Sequence, residues 1–260
     1  MRRMFSMIIA LLCAAPLCAQ TPAGNPEAFE RVLVPLLTQP IHGAFGSDFR
    51  TELTVWNGNA EQPLEVWGLR TRCIVTCPTL DPIELQPGGW LMPSELDNNG
   101  TPGRFLYVPK GQSARLAANL RAFDVSRSAT NFGTEIPLAR ANEFSTRVVL
   151  PGVPFTDRFR NTLRVYAAQA VTVRVSFEGP PSHLSPVVDP PPPQTLALTA
   201  GADVFEPAYA ILGTFEGYEL PVAVVVEPLD GITPLWAFMS VTSNDTQHIT
   251  TISPEPEGDR

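Results

Sequence analysis

An octapeptide that occurs twice constrains this chain more than any other feature. Residues Phe49–Trp56 return 110 positions later, without a gap, as Phe159–Tyr166, and four of the eight positions are identical. Side chains alternate between the two faces of an extended strand, and the pattern here is typical of a half-buried strand in an antiparallel sheet. The closing aromatic of each copy lies on the outward face. The predicted buried faces carry Phe49, Thr51, Leu53 and Val55 in the first copy and Phe159, Asn161, Leu163 and Val165 in the second.

The repeat extends beyond one strand. Arg31–Pro35 recurs as Arg147–Pro151, and later apolar runs follow in the same order in both halves. Short apolar runs with turn signals about every 10–15 residues indicate a β-sandwich. We therefore predict an all-β chain of two tandem antiparallel sandwiches, residues 29–143 and 144–255. The paired strands are predicted at Leu64–Trp67 and Val171–Phe177, Ile83–Leu85 and Leu196–Leu198, Phe105–Val108 and Leu220–Val226, and Leu116–Phe123 and Leu235–Val241.

Proline content argues against long helices. The chain has 28 prolines among its 260 residues, which is about double the usual share of roughly 5%. Proline suits loops and sheet edges. Ser113–Ala122 has a spacing that also fits a short helix, but its place in the repeat favours a strand. The proline-rich stretch 179–193 is interpreted as a stiff loop of the second sandwich, because the repeat continues on both sides of it. The alternative is a polyproline ligand for a partner domain.

The first 19 residues predict export. Arg2 and Arg3 precede the apolar run Met7–Ala15, and Ala19 offers a small residue for cleavage, which is the pattern of a secretory signal peptide. The apolar run is shorter than the roughly 20 residues that a membrane-spanning helix needs. We therefore expect cleavage after residues 1–19 and a periplasmic or extracellular protein without a membrane span.

The predicted export also favours a disulfide between the two remaining cysteines. Cys73 and Cys77 remain after the leader is removed, and outside the cytoplasm such neighbours most often form a disulfide. The segment between them must then bend into a tight loop, because an extended strand holds the two Cα atoms too far apart. A redox pair or half of a metal site is the alternative, but a two-residue spacer and nearby ligands are lacking.

Charge and histidine spacing argue against two classes of function. The net charge of −8 becomes −10 when Arg2 and Arg3 leave with the leader, and Lys110 is the single lysine. No basic stripe is therefore present to bind the phosphates of a nucleic acid. No metal or cofactor is expected either, because the histidines lack the spacing of ligands. These surface histidines are His42, His183 and His248.

Aromatic side chains are the candidates for a binding site. Trp56 and Tyr166 occupy equivalent outward positions, and Trp67 and Trp90 lie in the same half as Trp56. Exposed rings on a sheet stack against sugars or anchor a protein partner. We take Trp56, Trp67 and Tyr166 as candidate ligand-binding residues. The alternative is that loops or the other sandwich cover these rings, which then serve packing alone.

Three segments carry a family resemblance: Phe49–Asn57, Phe132–Pro137 and Ala237–Thr246. With them, the chain resembles a group of secreted bacterial proteins built from paired immunoglobulin-like sandwiches, over most of the mature chain. The resemblance implies an immunoglobulin-like fold for each unit. It transfers no activity and no functional residue, because its motifs are structural.

The predicted function is non-catalytic. We expect a secreted protein for binding, adhesion or structure, with a protein or polysaccharide partner at the cell exterior. Neither a Gly-x-Ser-x-Gly elbow nor a phosphate-cradling glycine loop appears. One alternative is an extracellular hydrolase with a loop-borne site, which a histidine bonded to serine or aspartate in a deep cleft would favour. Another is a carbohydrate-binding module with Trp56 and Trp67 as its platform, which clustered exposed aromatics would favour.

Overall fold

The chain is all-β in every part that the structure describes. The structure is a computed structural model, and it contains no α-helix in its described residues. Short 3-10 helices lie at Pro26–Ala28, Ser113–Arg115 and Ala141–Glu143. The described residues are 26–35, 41–42, 46–69, 82–92, 104–126, 132–167, 171–179, 193–198 and 221–254.

The strands divide between the two halves of the chain. In the N-terminal half they are β1 (Phe29–Val34), β2 (Ile41–His42), β3 (Asp48–Asn57), β4 (Leu64–Val66), β5 (Ile83–Leu85), β6 (Trp90–Leu91), β7 (Arg104–Pro109), β8 (Leu116–Asp124), β9 (Thr134–Ile136) and β10 (Ala139–Arg140). In the C-terminal half they are β11 (Val148–Val153), β12 (Phe159–Ala167), β13 (Val171–Glu178), β14 (Gln194–Leu198), β15 (Val222–Pro228), β16 (Leu235–Ser243) and β17 (Ile249–Ile252).

Each sheet draws its described strands from one half only, and every pairing is antiparallel. In the N-terminal half, sheet A has the order β10-β1-β7, sheet B has the order β2-β3-β8-β9 with β6 also on β3, and sheet C pairs β4 with β5. In the C-terminal half, sheet D has the order β11-β15-β13-β14 and sheet E the order β12-β16-β17. The two copies of the octapeptide are β3, at the centre of sheet B, and β12, at the edge of sheet E.

Two hydrophobic clusters fill the space between the sheets. In the N-terminal half, Leu53 and Val55 of sheet B are buried in one cluster with residues of sheets A and C. In the C-terminal half, Leu163 and Val165 of sheet E are buried in another with residues of sheet D. The alternation inferred from the repeated octapeptide is therefore confirmed at the centre of both strands. A core between facing sheets is the arrangement of a β-sandwich.

The second face of sheet E is buried as well, and it joins the two halves. Tyr166, Trp236 and Phe238 point away from the C-terminal core and belong to the hydrophobic cluster of the N-terminal half. The Tyr166 hydroxyl donates a hydrogen bond to the buried carbonyl of Pro35. The N-terminal core is thus completed by side chains from the other half of the chain.

A second junction runs along the edges of sheets B and E. The Thr134 hydroxyl of β9 donates to the Ile249 carbonyl of β17 at 2.6 Å, and the Thr251 hydroxyl of β17 donates to the Glu135 carbonyl of β9 at 3.0 Å. These reciprocal bonds occupy edge groups that would otherwise be free to pair with another chain.

The strand predictions are confirmed where the sequence alternates clearly. The interpretation of Ser113–Ala122 as a strand holds from Leu116 onward, after one 3-10 turn. Five strands were not predicted because they are four residues long or shorter and so have almost no period to detect: β2, β6, β9, β10 and β17. The immunoglobulin-like type of the sandwiches and the boundary between residues 143 and 144 stay predictions.

Leucine truncations test the core assignment. Leu53→Ala and Leu163→Ala each remove a buried side chain and leave a cavity, so each should lower the free energy of unfolding by about 2–5 kcal/mol. The controls are Glu52→Ala and Thr162→Ala, whose side chains lie on the opposite face and are only half-buried; they should change it by about 0.5 kcal/mol or less. Urea melts measure all four. Mild effects at both leucines with large losses at the controls would mean that the register is wrong by one residue.

Removal of single hydroxyls tests the junction between the halves. Tyr166→Phe leaves the buried Pro35 carbonyl without its donor, so it should lower the free energy of unfolding by about 1–3 kcal/mol. Thr251→Val removes a hydroxyl from an exposed bond between the halves, where water replaces it, and should cost about 0.5 kcal/mol or less. Equal losses in urea melts would contradict a buried junction at Tyr166.

Candidate binding face

The outer face of sheet B is the candidate functional site. Along β3, residues Leu53 and Val55 point into the core, so Thr54 and Trp56 point outward. The Trp56 side chain is 38% exposed, Trp90 of the neighbouring strand β6 is 69% exposed and Met92 is 47% exposed. An exposed group of large apolar side chains on a folded protein commonly marks an interaction site.

Trp56 and Trp90 are direct neighbours across two strands. In the β3–β6 pairing their Cα atoms are partners, so both side chains lie on the same face. The Asn57 amide donates to the Gly89 carbonyl at 2.9 Å, which makes the next pair along the strands, Trp56 and Trp90, a non-hydrogen-bonded pair. At such positions side chains approach most closely, with Cα atoms about 4.5 Å apart. The two tryptophans are therefore neighbours on the outer face of sheet B.

A buried asparagine fixes the end of β3 next to this pair. The Asn57 side chain is fully buried, and its amide donates to the carbonyls of Gln62 at 2.7 Å and Leu85 at 3.2 Å. Its side-chain oxygen accepts the Asn59 backbone amide at 3.0 Å. One side chain thus ties β3 to the following loop and to β5, the strand that leads toward Trp90.

A tight turn before β6 positions Trp90 beside β3. Gly88 has a φ of 63°, which suits a residue without a Cβ, and the Gly89 amide donates to the Gln86 carbonyl at 2.8 Å. A Cβ atom at Gly89 would lie 2.9 Å from that carbonyl oxygen. The glycines therefore permit the sharp reversal that brings Trp90 back over the outer face of sheet B.

Polar side chains surround the aromatic pair on the same face. Asn119 of β8 lies opposite Thr54, and Arg121 lies opposite Glu52. Arg50 donates to the Glu52 carboxylate at 2.6 Å. The face is therefore amphipathic: it has an apolar end at the two tryptophans, hydroxyl and amide groups beside them, and paired charges farther along β3.

Trp67 does not belong to this surface. Its backbone exchanges hydrogen bonds with Tyr107 of sheet A, at 2.9 and 3.1 Å, and its half-buried ring meets the edge of Phe29 at 4.8 Å between centroids. The prediction that Trp67 and Trp56 form one platform is therefore wrong, because the two residues lie in different sheets of the sandwich. Trp90 takes the place that the sequence analysis gave to Trp67.

Tyr166 is also absent from the solvent-exposed surface. It is fully buried, with its ring 6.0 Å from Trp236 between centroids. Burial raises the pKa of the Tyr166 hydroxyl far above its ordinary value, so the group remains a hydrogen-bond donor to Pro35 at ordinary pH. The prediction of Tyr166 as an exposed ligand-binding residue is wrong. The alternative, in which the other half of the chain covers this face, describes its position.

An acid–histidine contact lies near one end of β3. His42 Nδ1 contacts a carboxylate oxygen of Asp48, but the His42 side chain is almost wholly exposed, whereas a general base works best in a water-excluded site. Burial raises the pKa of nearby Asp124, but hydrogen bonds from Ser126, from the Asp48 amide and from Ser47 outweigh it and lower the pKa below its usual value. Asp124 is therefore a charged structural group that joins the ends of β3 and β8.

Several sequence predictions fall outside the described residues. These are the leader 1–19, the cysteine pair Cys73 and Cys77, His183 and most of the proline-rich stretch. His248 is described and exposed. Within the described ranges no group of three or more His, Cys, Asp or Glu side chains is placed to hold a metal ion.

No protein-family model, no curated protein and no solved structure matches the chain. In the described part of the chain, no helix has the length and apolarity to cross a membrane.

Replacing Asn57 tests whether it holds the aromatic pair in place. Asn57→Ala leaves the carbonyls of Gln62 and Leu85 without that donor, so it should lower the free energy of unfolding by about 1–3 kcal/mol. Asn119→Ala, at a half-buried position of the outer face, is the matched control and should cost about 0.5 kcal/mol or less. Urea melts give both values, and iodide quenching of tryptophan emission should rise in Asn57→Ala only. Equal behaviour of the two variants would refute the role of Asn57.

Proposed function

We propose that this chain is an exported, non-catalytic binding protein whose recognition surface is the outer face of sheet B. One observation carries the proposal: the equivalent face in the C-terminal half is the one that is buried against protein. Trp56 and Tyr166 close the two copies of the same octapeptide. Tyr166 is covered by the N-terminal half, whereas Trp56 faces solvent.

The two faces share an aromatic pair at the same position of the repeat. Tyr166 is paired with Trp236, and Trp56 is paired with Trp90, although Trp90 belongs to the strand on the other side of β3. The next outward residue differs between the copies, because Thr54 lies beside Trp56 whereas Arg164 lies beside Tyr166. A face of this kind docks on protein once within the molecule, which supports the same use for the exposed copy.

The exposed tryptophans can also supply binding free energy. A tryptophan buries about 150–250 Å² when it packs, and tryptophans are enriched among the few residues that dominate the binding free energy of interfaces. Trp90 keeps most of its surface exposed in this fold. Because Asn57 and the turn at Gly88 fix the backbone beside the pair, a partner does not have to order this part of the chain, which lowers the cost of binding.

The cellular setting in this proposal follows from the leader and the composition. The predicted signal peptide supports a periplasmic or extracellular location, and the acidic net charge supports solubility there. In that setting the protein acts in adhesion or assembly at the cell exterior, without a chemical step of its own. The solvent-exposed position of the His42–Asp48 contact gives no support to the hydrolase alternative.

A polysaccharide is the second candidate partner. Thr54 and Asn119 offer hydroxyl and amide groups beside the aromatic pair, and a sugar ring combines an apolar C–H face with a rim of hydroxyls. Such a ligand would use both features of the face. The protein partner is favoured because the equivalent face of sheet E is covered by protein.

Photo-crosslinking in the native cells tests the proposed surface. A photoreactive amino acid in place of Trp90 should give a discrete protein adduct, because Trp90 is the more exposed residue of the aromatic pair. The same amino acid in place of Thr172, an exposed residue of sheet D, is the control and should give none. Equal labelling at the two positions would refute a dedicated surface on sheet B.

A polysaccharide ligand would give a different result. Gels containing soluble polysaccharides should then retard the wild-type chain but not Trp56→Ala or Trp90→Ala. Absence of both a specific adduct and retardation would overturn the binding function itself.

A further inference from the structure

We propose that the partner of this face is a second copy of the chain, packed through the same outer face of sheet B about a two-fold axis. This inference rests on the proposed function. In such an arrangement one patch meets an identical patch, so each residue contact occurs twice. The apolar end formed by Trp56, Trp90 and Met92 would supply the buried centre of the contact.

The charges of the face suit a meeting of identical surfaces. The whole chain has a net charge of −8, so two copies repel each other at most approaches. On the outer face of sheet B, however, acidic and basic groups are neighbours and largely cancel. Charges more than about 8 Å apart are screened at physiological salt. Electrostatic repulsion between two copies therefore depends mainly on the charges near the contact, and it is weakest where their sum is small. The neighbouring groups are His42 with Asp48, Arg50 with Glu52, and Arg121 opposite both Glu52 and Glu135.

A face-to-face arrangement is favoured over a head-to-tail chain of copies. Within the molecule, the aromatic face of sheet E docks beside Pro35, at the end of the segment Arg31–Pro35. The corresponding segment of the C-terminal half is Arg147–Pro151. If copies added head to tail in the same way, the tryptophans of sheet B would have to dock there.

The segment Arg147–Pro151 begins with a charged cluster. Arg147 forms ion pairs with Glu178 at 3.1 Å and with Glu227 at 3.7 Å, and Arg174 pairs with Glu227 at 2.8 Å. Covering these exposed charges with indole rings would remove them from water without new partners, which is unfavourable. The outer face of sheet B has an apolar end and neighbouring charges of both signs, so a second copy that meets it face to face gives a closed dimer.

Sedimentation velocity of the purified mature chain tests the proposal. Over a wide concentration range the wild-type protein should shift from monomer to dimer and no further. Trp90→Glu should weaken the dimer at least tenfold or abolish it, since truncated hot-spot residues cost about 2 kcal/mol or more and 1.4 kcal/mol is tenfold in affinity. Ile232→Glu, which places the same charge at an equally exposed apolar residue of the C-terminal half, should dimerise like the wild type.

Three outcomes would overturn the second-copy proposal. A wild-type chain that stays monomeric at every concentration has no self-association. A dimer that persists in Trp90→Glu uses another surface, and growth beyond the dimer indicates head-to-tail addition. Urea melts of Trp90→Glu verify that the variant is folded. A monomeric chain that nevertheless gives an adduct with a different protein, or binds a polysaccharide, would leave the proposed function intact.

Discussion

The burial of Tyr166, Trp236 and Phe238 against the N-terminal half is the constraint on which the rest of the structure depends. Three aromatic residues of sheet E complete a core that the N-terminal strands do not close alone. A buried tyrosine hydroxyl without a partner would oppose this packing, and the hydrogen bond to the Pro35 carbonyl removes that penalty. The same contact determines which sheet face of each half remains in water.

The two copies of the octapeptide therefore lie in different surroundings. Both copies bury leucine and valine on the inner face, since that alternation is required for each core. On the outer face, Tyr166 is covered within the molecule, whereas Trp56 is accompanied by an exposed Trp90. Three of the four differences between the copies lie on this outer face, and the fourth is Thr51 against Asn161 on the inner face, while the core positions keep identical leucines and valines. The comparison of two copies in one molecule is what distinguishes the proposed recognition surface from a packing surface.

Core positions that follow strand alternation were predictable from the sequence. Positions that depend on contact between distant segments were not. Leu53 and Leu163 were placed in the core because strand alternation is local. The burial of Tyr166 was not predictable from its neighbours, because it results from packing between halves of the chain. The place of Trp90 beside Trp56 was not predicted because β6 is two residues long; the Pro87–Gly88 turn before it was the available signal. Trp67 was grouped with Trp56 although the two strands belong to different sheets, a distinction that requires the topology.

The strands beside the aromatic pair influence how a partner can bind. A long exposed edge would recruit another strand by backbone pairing and lead to aggregation. Here β6, the edge next to Trp56, pairs only at Trp90 and Leu91, and the far edge of sheet B is engaged by Thr251. Backbone pairing is therefore restricted on both sides, so the proposed partner would bind through the side chains of the face. Because a side-chain surface has a defined shape and defined charges, it favours one partner over many, whereas a free backbone edge accepts almost any strand.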